Sequence, residues 1–487
     1  MIGKEIVGKC KGVALAAKTL GSLLRFIREE REWKVVRDSE LWKLKHEETD
    51  ILPALKLSYD RLPRYLKRCF VFCSVFPKDF VIDSAVLISM WMANGFLQSS
   101  NEHEEPEDIG KRYIDELWSR SFFQQLEEGH FSSTFVLHDL LHGLALAVAR
   151  NALDSFEPNS NYNAQHLWFD LSEQDASQLR NNMGHLRTLI FWSTGEPEAD
   201  NESLIEESIS RSKRLRVLDM AWRSFDQLSN NIGYLKHLRH LSIAGNRNMK
   251  RLPNSICELQ SLETLDLIYC MGLEELPKDV RYLISLRVLS ITTRQTSLQG
   301  SGIECLTSLR KLVIWGCENL KDLFEDMQSL TALRTLHIVR CNNLISLPQG
   351  LKCLTSLETL EIKDCEMLDL CMELELGGKK DGSLRKLFIE GLPKVESLPQ
   401  WIVLGSTETL LRLQISRLAN LSTLPVWFQN LTALKDLRIE RCPKLGERCT
   451  AETGEDWPKI AHVRHVVIDN DRNNNLEDFL RWPPSDG

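Results

Sequence analysis

The chain has 487 residues, a net charge of −8, 43% hydrophobic residues and 26% charged residues, which excludes a disordered or fibrous protein and implies two to four folded domains. The mildly acidic balance argues against a nucleic-acid partner, since neutralising phosphates needs clustered Lys and Arg. No apolar run reaches the roughly 20 residues of a bilayer span, Lys18 breaks the apolar run from Gly12 to Leu24, which rules out a signal peptide, and thirteen cysteines without a C-x-x-C pair predict reduced thiols in the cytoplasm.

In chain order, residues 1–30 read as an amphipathic helix, a turn near Gly12 and a second helix. Residues 51–120 read as helices with short breaks, their starts marked by Pro53, Pro63 and Asp83. Residues 121–125 and 134–137 alternate like strands, with Glu127, Glu128 and Gly129 between them, which predicts a hairpin. A helix over 138–150 follows, and helices ending in a hairpin suggest a winged helix. Residues 151–163 form a polar connector.

Three patterns in this part imitate chemistry. Gly3 to Cys10 nearly spells a phosphate loop, but no strand precedes it, Cys10 is a poor magnesium ligand, and Ile6 and Val7 sit where a helix would bury them. His138 and His142 flank Asp139 like a zinc-protease pair, but no third ligand is apparent. Cys69 and Cys73 lie beside Phe70, Phe72 and Phe76 and read as core packing. No nucleophile, base and oxyanion set converges, so the chain does not read as an enzyme, and no metal site is expected. The candidate recognition helix over 83–95 has no Lys or Arg, which weakens a DNA-binding reading.

From residue 164 the chain repeats. The pattern L-x-x-L-x-(L/I/M/F) begins at Leu186, Leu215, Leu238, Leu262, Leu286, Leu309, Leu333, Leu357, Leu384, Leu410 and Leu434, with an atypical first copy near Ala164. Spacings between 23 and 29 residues match leucine-rich repeats, each one short strand with a return segment. One repeat cannot bury its apolar face alone, so stacked copies make a continuous core and a curved parallel sheet. Cys270, Cys317, Cys341, Cys365 and Cys442 recur three residues after the last apolar strand position, and read as an inward ladder that satisfies backbone groups. Leu-Pro pairs at Pro253, Pro277, Pro348, Pro399 and Pro425 turn the chain to the convex side. The strand positions facing away from the core form an exposed concave face. They include Trp222, His240, Tyr269, Trp315, His337, Arg340, Glu361, Phe388, Arg412, Arg438 and Arg441, and aromatics beside arginines on such a face predict protein binding.

Cys69, Phe70, Cys73, Ser74, Phe76, Pro77 and Asp79 resemble the C-F-x-x-C-S-x-F-P-x-D motif of plant nucleotide-binding leucine-rich-repeat disease resistance proteins, of the coiled-coil class. Gly12 to Ala16 resembles their G-L-P-L-A motif, Leu137-His138-Asp139 their M-H-D motif, and Ile88, Trp91, Ala93, Gly95 and Phe96 their L-I-x-x-W-x-A-x-G-F block. Gly454 to His462 resembles the tail that often closes their repeats. The resemblance implies an intracellular immune receptor whose NB-ARC region encloses ADP at rest and exchanges it for ATP, while the repeats recognise a pathogen effector or a guarded host protein. It implies further that His138 senses the phosphates, Asp139 holds that loop, and Leu15 lies by the nucleotide. Leu137 stands where the family has Met, and Ala14 where it has the proline expected beside adenine. No phosphate loop or Asp-Asp run is found, so the chain reads as N-terminally truncated and is expected to hold ADP weakly or not at all, with oligomerisation depending on the missing part. The alternative is a stand-alone repeat scaffold or decoy. The expected organisation is an NB-ARC helical subdomain at 1–52, a winged helix at 53–150, a connector at 151–163, an α/β leucine-rich-repeat solenoid at 164–447, and a cap and loose tail at 448–487.

Overall fold

The computed structural model describes residues 2–43, 53–98, 104–128, 133–154, 165–171, 176–192, 199–223, 225–370, 382–403 and 405–469. Most of the expected connector and the tail beyond Asn470 lie outside the described residues. The chain divides into two compact units, residues 1–191 with 214–217, and residues 192–213 with 218–487.

The first unit opens with helices α1 (Ile2–Lys9), α2 (Ala14–Arg25) and α3 (Glu30–Arg37). Ile6, Leu20, Leu23 and Val36 pack into one small core with Ala54 and Leu57 of α4 (Pro53–Asp60). Helix α1 covers most of the phosphate-loop look-alike, and Ile6 is buried within it. Helices α5 (Arg64–Phe72), α6 (Ser84–Asn94), α7 (Pro106–Ser119) and α8 (Asp139–Asp154) surround a larger aromatic core that includes Phe70, Trp91, Phe122 and Phe135. The predicted start signals act as expected. Pro63 caps α5, and the Asp83 carboxylate accepts the N–H groups of Ala85 and Val86 at 2.8 and 3.0 Å. Residues 87–94 of α6 are all buried, so this helix has no face free to enter a nucleic-acid groove.

Three antiparallel strands, β1 (Ile82–Asp83), β2 (Gln124–Glu128) and β3 (Ser133–Val136), form the wing in the order β1-β3-β2. The sequence placed the first hairpin strand three residues early. Phe122 and Phe123 are both buried, so alternation fails there, and Ser121 takes a left-handed φ of 62° that delays the strand. Glu127 and Glu128 therefore lie in β2 rather than in the turn.

Thirteen strands in chain order form the repeat sheet. They are β4 (His166–Asp170), β5 (Thr188–Trp192), β6 (Val217–Asp219), β7 (His240–Ser242), β8 (Thr264–Leu267), β9 (Val288–Ile291) and β10 (Lys311–Trp315). Then follow β11 (Thr335–Val339), β12 (Thr359–Lys363), β13 (Lys386–Glu390), β14 (Arg412–Ser416), β15 (Asp436–Glu440) and β16 (His465–Asp469). From β7 onward the pairs are parallel and equivalent residues face one another, as in Leu312↔Leu336 and Leu336↔Leu360. Each repeat thus stacks its leucines on those before and after, and truncating one, such as Leu336→Ala, costs about 2–5 kcal/mol.

The cysteine ladder is present. Cys270 donates to the Ile243 carbonyl at 3.3 Å, Cys341 to Ile314 at 3.8 Å and Cys442 to Ile415 at 3.8 Å, and Asn246 fills the same slot with a 2.6 Å bond to Ile243. Each Leu-Pro proline immediately precedes a short 3₁₀ turn, from Asn254–Glu258 to Val426–Asn430. The Gly454–His462 segment closes the unit through Asp456, whose carboxylate accepts the Leu424 N–H at 2.9 Å and pairs with Lys459 at 2.7 Å and Arg448 at 3.2 Å. Burial would raise the Asp456 pKa, but these partners outweigh it and hold the carboxyl below its ordinary value.

Candidate functional site

The three residues that the resemblance places by the nucleotide, His138, Asp139 and Leu15, do not by themselves make up a nucleotide site. His138 and Asp139 are exposed at the start of α8, and Leu15 is half-buried against the larger core. The Leu140 N–H donates to His138 Nδ1 at 3.3 Å, which leaves Nε2 to carry the proton of the neutral ring and to meet an anion. Among the described residues Asp139 has only a 3.9 Å pairing with Lys78. One imidazole N–H, one exposed carboxylate and one leucine do not fit a whole nucleotide, because these three side chains offer neither a phosphate cradle of backbone N–H groups nor a magnesium ligand set. His142, the other half of the metal-like pair, is buried with its Nε2 2.7 Å from the Phe76 carbonyl. Cys69 and Cys73 are fully buried, and desolvation pushes both thiols above the ordinary range.

The repeat unit does bring predicted residues together. The residue just before each ladder position lies at the edge where the strands end. At Trp222, Gly245, Tyr269, Gly316, Arg340, Asp364, Gly391, Arg417 and Arg441 this residue has φ between 51° and 75°. Side-chain-bearing residues tolerate this left-handed geometry at about 1–2 kcal/mol each. The compensation is visible. Trp222 N–H bonds to Ala244 O at 2.6 Å, Gly245 to Ile268 at 2.7 Å, Arg340 to Lys363 at 2.8 Å and Arg417 to Glu440 at 3.0 Å, which carries the sheet ladder past the strand ends. Tyr269 uses the Thr292 hydroxyl instead, at 3.0 Å.

On this edge the aromatic rings pack against one another at a tilt. Trp222 and Tyr269 have centroids 5.1 Å apart, Tyr269 and Trp315 4.0 Å apart, and the Arg340 guanidinium lies 5.6 Å over Trp315. Trp222 and Tyr269 sit two repeats apart and meet because Gly245 stands between them. A Cβ there would lie 2.4 Å from the Trp222 ring. Val313, Trp315 and Val339 form a small cluster with Ile268 and Met271 against it.

Other predicted contact residues lie elsewhere or deeper. Arg412 and Arg438 are exposed, and Arg412 pairs with Asp436 at 3.2 Å. His240, Trp315, His337, Glu361 and Phe388 were expected to be exposed but are buried, His240 to 3%, Glu361 to 3% and Trp315 to 7%. Strands about 4.8 Å apart pack neighbouring side chains shoulder to shoulder, so the middle of the face is covered by its own residues. His337 Nδ1 lies 3.6 Å from Glu361 Oε2. Burial lowers the histidine pKa and pushes the glutamate up to about 8, so both are largely uncharged at neutral pH. Sequence reading missed Gly245 and the left-handed edge, although the recurrence of Gly or a polar residue just before the ladder cysteines was a usable signal.

Comparison with known proteins agrees with this architecture. The family described as Leucine-rich repeat region matches residues 185–439, and the Disease resistance protein Winged helix domain matches residues 75–145. The chain is 38% identical over 274 residues to the disease resistance protein RGA2 of Solanum bulbocastanum, covering 56% of this chain and 26% of that protein. It is 30% identical over 303 residues to disease resistance RPP13-like protein 4 of Arabidopsis thaliana, covering 60% of this chain and 35% of that protein. The chain therefore spans well under half the length of these curated relatives. Among solved structures, the leucine-rich repeat domain of the type III effector XopL matches 55% of this chain and 81% of its own, at 20% identity and a TM-score of 0.38. Fold and matches define a leucine-rich-repeat protein that carries a winged helix. The chain belongs to the plant disease resistance proteins of the nucleotide-binding leucine-rich-repeat family. Among the described residues no helix is long and apolar enough to cross a membrane.

Proposed function

We propose that this chain is the sensing part of a cytoplasmic immune receptor of the coiled-coil class, and that its repeats recognise a pathogen effector or a guarded host protein rather than catalyse a reaction. The observation that supports this most is the run of tilted ring contacts from Trp222 through Tyr269 to Trp315, with Arg340 over Trp315. Large rings beside a guanidinium are typical of the residues that dominate protein interfaces, and here Trp222, Tyr269 and Arg340 stand in left-handed backbone positions that stability alone does not favour. A plant line lacking the gene should lose resistance to at least one isolate in a pathogen panel and regain it when the gene returns. Unchanged resistance to every isolate would contradict the reading.

In this proposal the winged helix and preceding helices belong to an ADP/ATP switch, with His138 at the phosphates. The poor fit of His138, Asp139 and Leu15 to a whole nucleotide supports a second reading, a protein-binding scaffold or decoy that does not switch. Denaturing the purified chain and assaying released ADP and ATP separates the two. About one ADP per chain supports the switch, and none from a folded sample supports the scaffold.

A further inference from the structure

Asp219 and Asp266 occupy the same position in alternate repeats, and the register places Ser242, paired with Asp266, on the strand between them. Leu218, Met220, Leu265 and Leu267 are fully buried, so strand alternation puts both carboxylates on the open face, two strand spacings or about 10 Å apart. Each carboxylate uses one oxygen on the N–H two residues on, Asp219 with Ala221 at 3.0 Å and Asp266 with Ile268 at 3.2 Å. Ser242, facing Asp266 across the strand pair, favours its charged form. Among the described residues neither carboxylate forms an ion pair. Arg223 and Lys311 act on them only through space, and Asp219 repels Asp266. His240 on the intervening strand is kept neutral by burial. Two like charges thus share a poorly solvated recess with no cation in direct contact among the described residues.

Two further observations point to a ligand. Thr264 is 4% exposed and lies two residues before Asp266, on the same face, and its hydroxyl has no hydrogen-bond partner among the described residues. Such an unmet buried group costs about 1–3 kcal/mol. The rings stand three residues after the carboxylates, Trp222 after Asp219 and Tyr269 after Asp266, and touch each other.

We propose that this recess, floored by Asp219, Ser242, Thr264 and Asp266 and walled by Trp222 and Tyr269, receives an arginine side chain presented by a protein partner. A guanidinium carries five donors in one plane and stacks on aromatic faces. It would relieve the Asp219–Asp266 repulsion, satisfy the Thr264 hydroxyl and lie against the rings. A lysine ammonium meets the charge but not the stacking, and an acidic residue worsens the repulsion. The inference rests on the reading that the repeats recognise a protein, and adds the chemistry of the contact.

The test uses the full chain and a fluorescein-labelled hexapeptide with two arginines three positions apart, followed by anisotropy. Companion peptides carry lysine, or citrulline, which keeps the shape without the charge. The arginine peptide should bind, the citrulline peptide should bind about tenfold or more weakly, and the lysine peptide should fall between them. Asp219→Asn with Asp266→Asn should remove about tenfold of the arginine-peptide affinity, and Trp222→Phe should weaken it less. The asparagine variants keep the side-chain shape, and a thermal melt confirms their fold. No binding by the unaltered chain up to about 1 mM, equal binding of arginine and citrulline peptides, or an unchanged double-asparagine variant would each overturn the proposal. A receptor that still confers resistance with both asparagines in place would sink this inference and leave protein recognition standing.

Discussion

The strand-end edge of the repeat sheet has two ends built on one backbone and finished with different chemistry. From Trp222 to Arg340 it carries rings packed against one another, and from Lys363 to Arg441 it carries charges. Glycine performs the same task in both. Gly245 lets Trp222 reach Tyr269, and Gly391 lets Arg417 reach Asp364 across an intervening repeat, where a Cβ would lie 2.3 Å from Asp364 Oδ1. At the ionic end Arg417 pairs with Asp364 at 2.5 Å and Glu390 at 2.9 Å, and Lys363 pairs with Glu390 at 3.0 Å. Those charges already satisfy one another. At the aromatic end Trp222 and Tyr269 stay half-buried, with ring surface still open to a partner. In the proposed reading a shared scaffold thus gives closure to one end and recognition to the other.

The largest expected effect comes from filling the glycines. Gly245→Val adds a branched side chain at φ 75° and drives it into the Trp222 ring. Unfolding in urea should show a loss of about 3 kcal/mol, and recognition should be lost with it. Gly391→Val meets the end of a carboxylate that can swing aside, so it should cost about 1–2 kcal/mol of backbone strain and leave recognition intact. Equal loss of recognition in both would break the comparison.

A smaller effect is pH-dependent. Burial pushes the Asp266 carboxyl up to about 6, with repulsion from Asp219 adding to it. The folded state therefore favours the protonated form. Its contribution is fully present below the unfolded value of about 3.9 and is lost as pH rises through 6. Asp266→Asn imitates the protonated state, so it should raise Tm by about 2–4 °C at pH 7.5, and the gain should vanish below pH 4. A variant less stable at pH 7.5 would show that the carboxylate is already neutralised. Arg417→Ala should be smallest, at most about 1 kcal/mol in the same urea experiment, because its partners are partly solvated.

Much of this architecture was legible because leucine-rich repeats write their core at fixed spacing. Eleven strands followed from that pattern. Strand β16 escaped because Val463, Val466 and Ile468 replace its leucines. The cysteine ladder and proline turns were legible for the same reason, since each is set by local backbone need. The site was less so. Alternation placed His240, Glu361 and Phe388 on the right face, but depth depends on neighbours from adjacent repeats, which no single repeat encodes. The left-handed edge was hidden because Trp222, Tyr269 and Arg340 occupy a conformation usually signalled by glycine. The Asp219–Asp266 recess arises only when alternate repeats are brought side by side.

The most direct test restores a line lacking the gene with two altered forms at equal protein levels and scores resistance. One form carries Tyr269→Ala and Trp315→Ala, and the other carries Lys363→Ala and Arg417→Ala. The account predicts that the first fails to restore resistance and the second restores it. Restoration by the aromatic variant, or failure of the ionic variant alone, would contradict the assignment of recognition to the aromatic end.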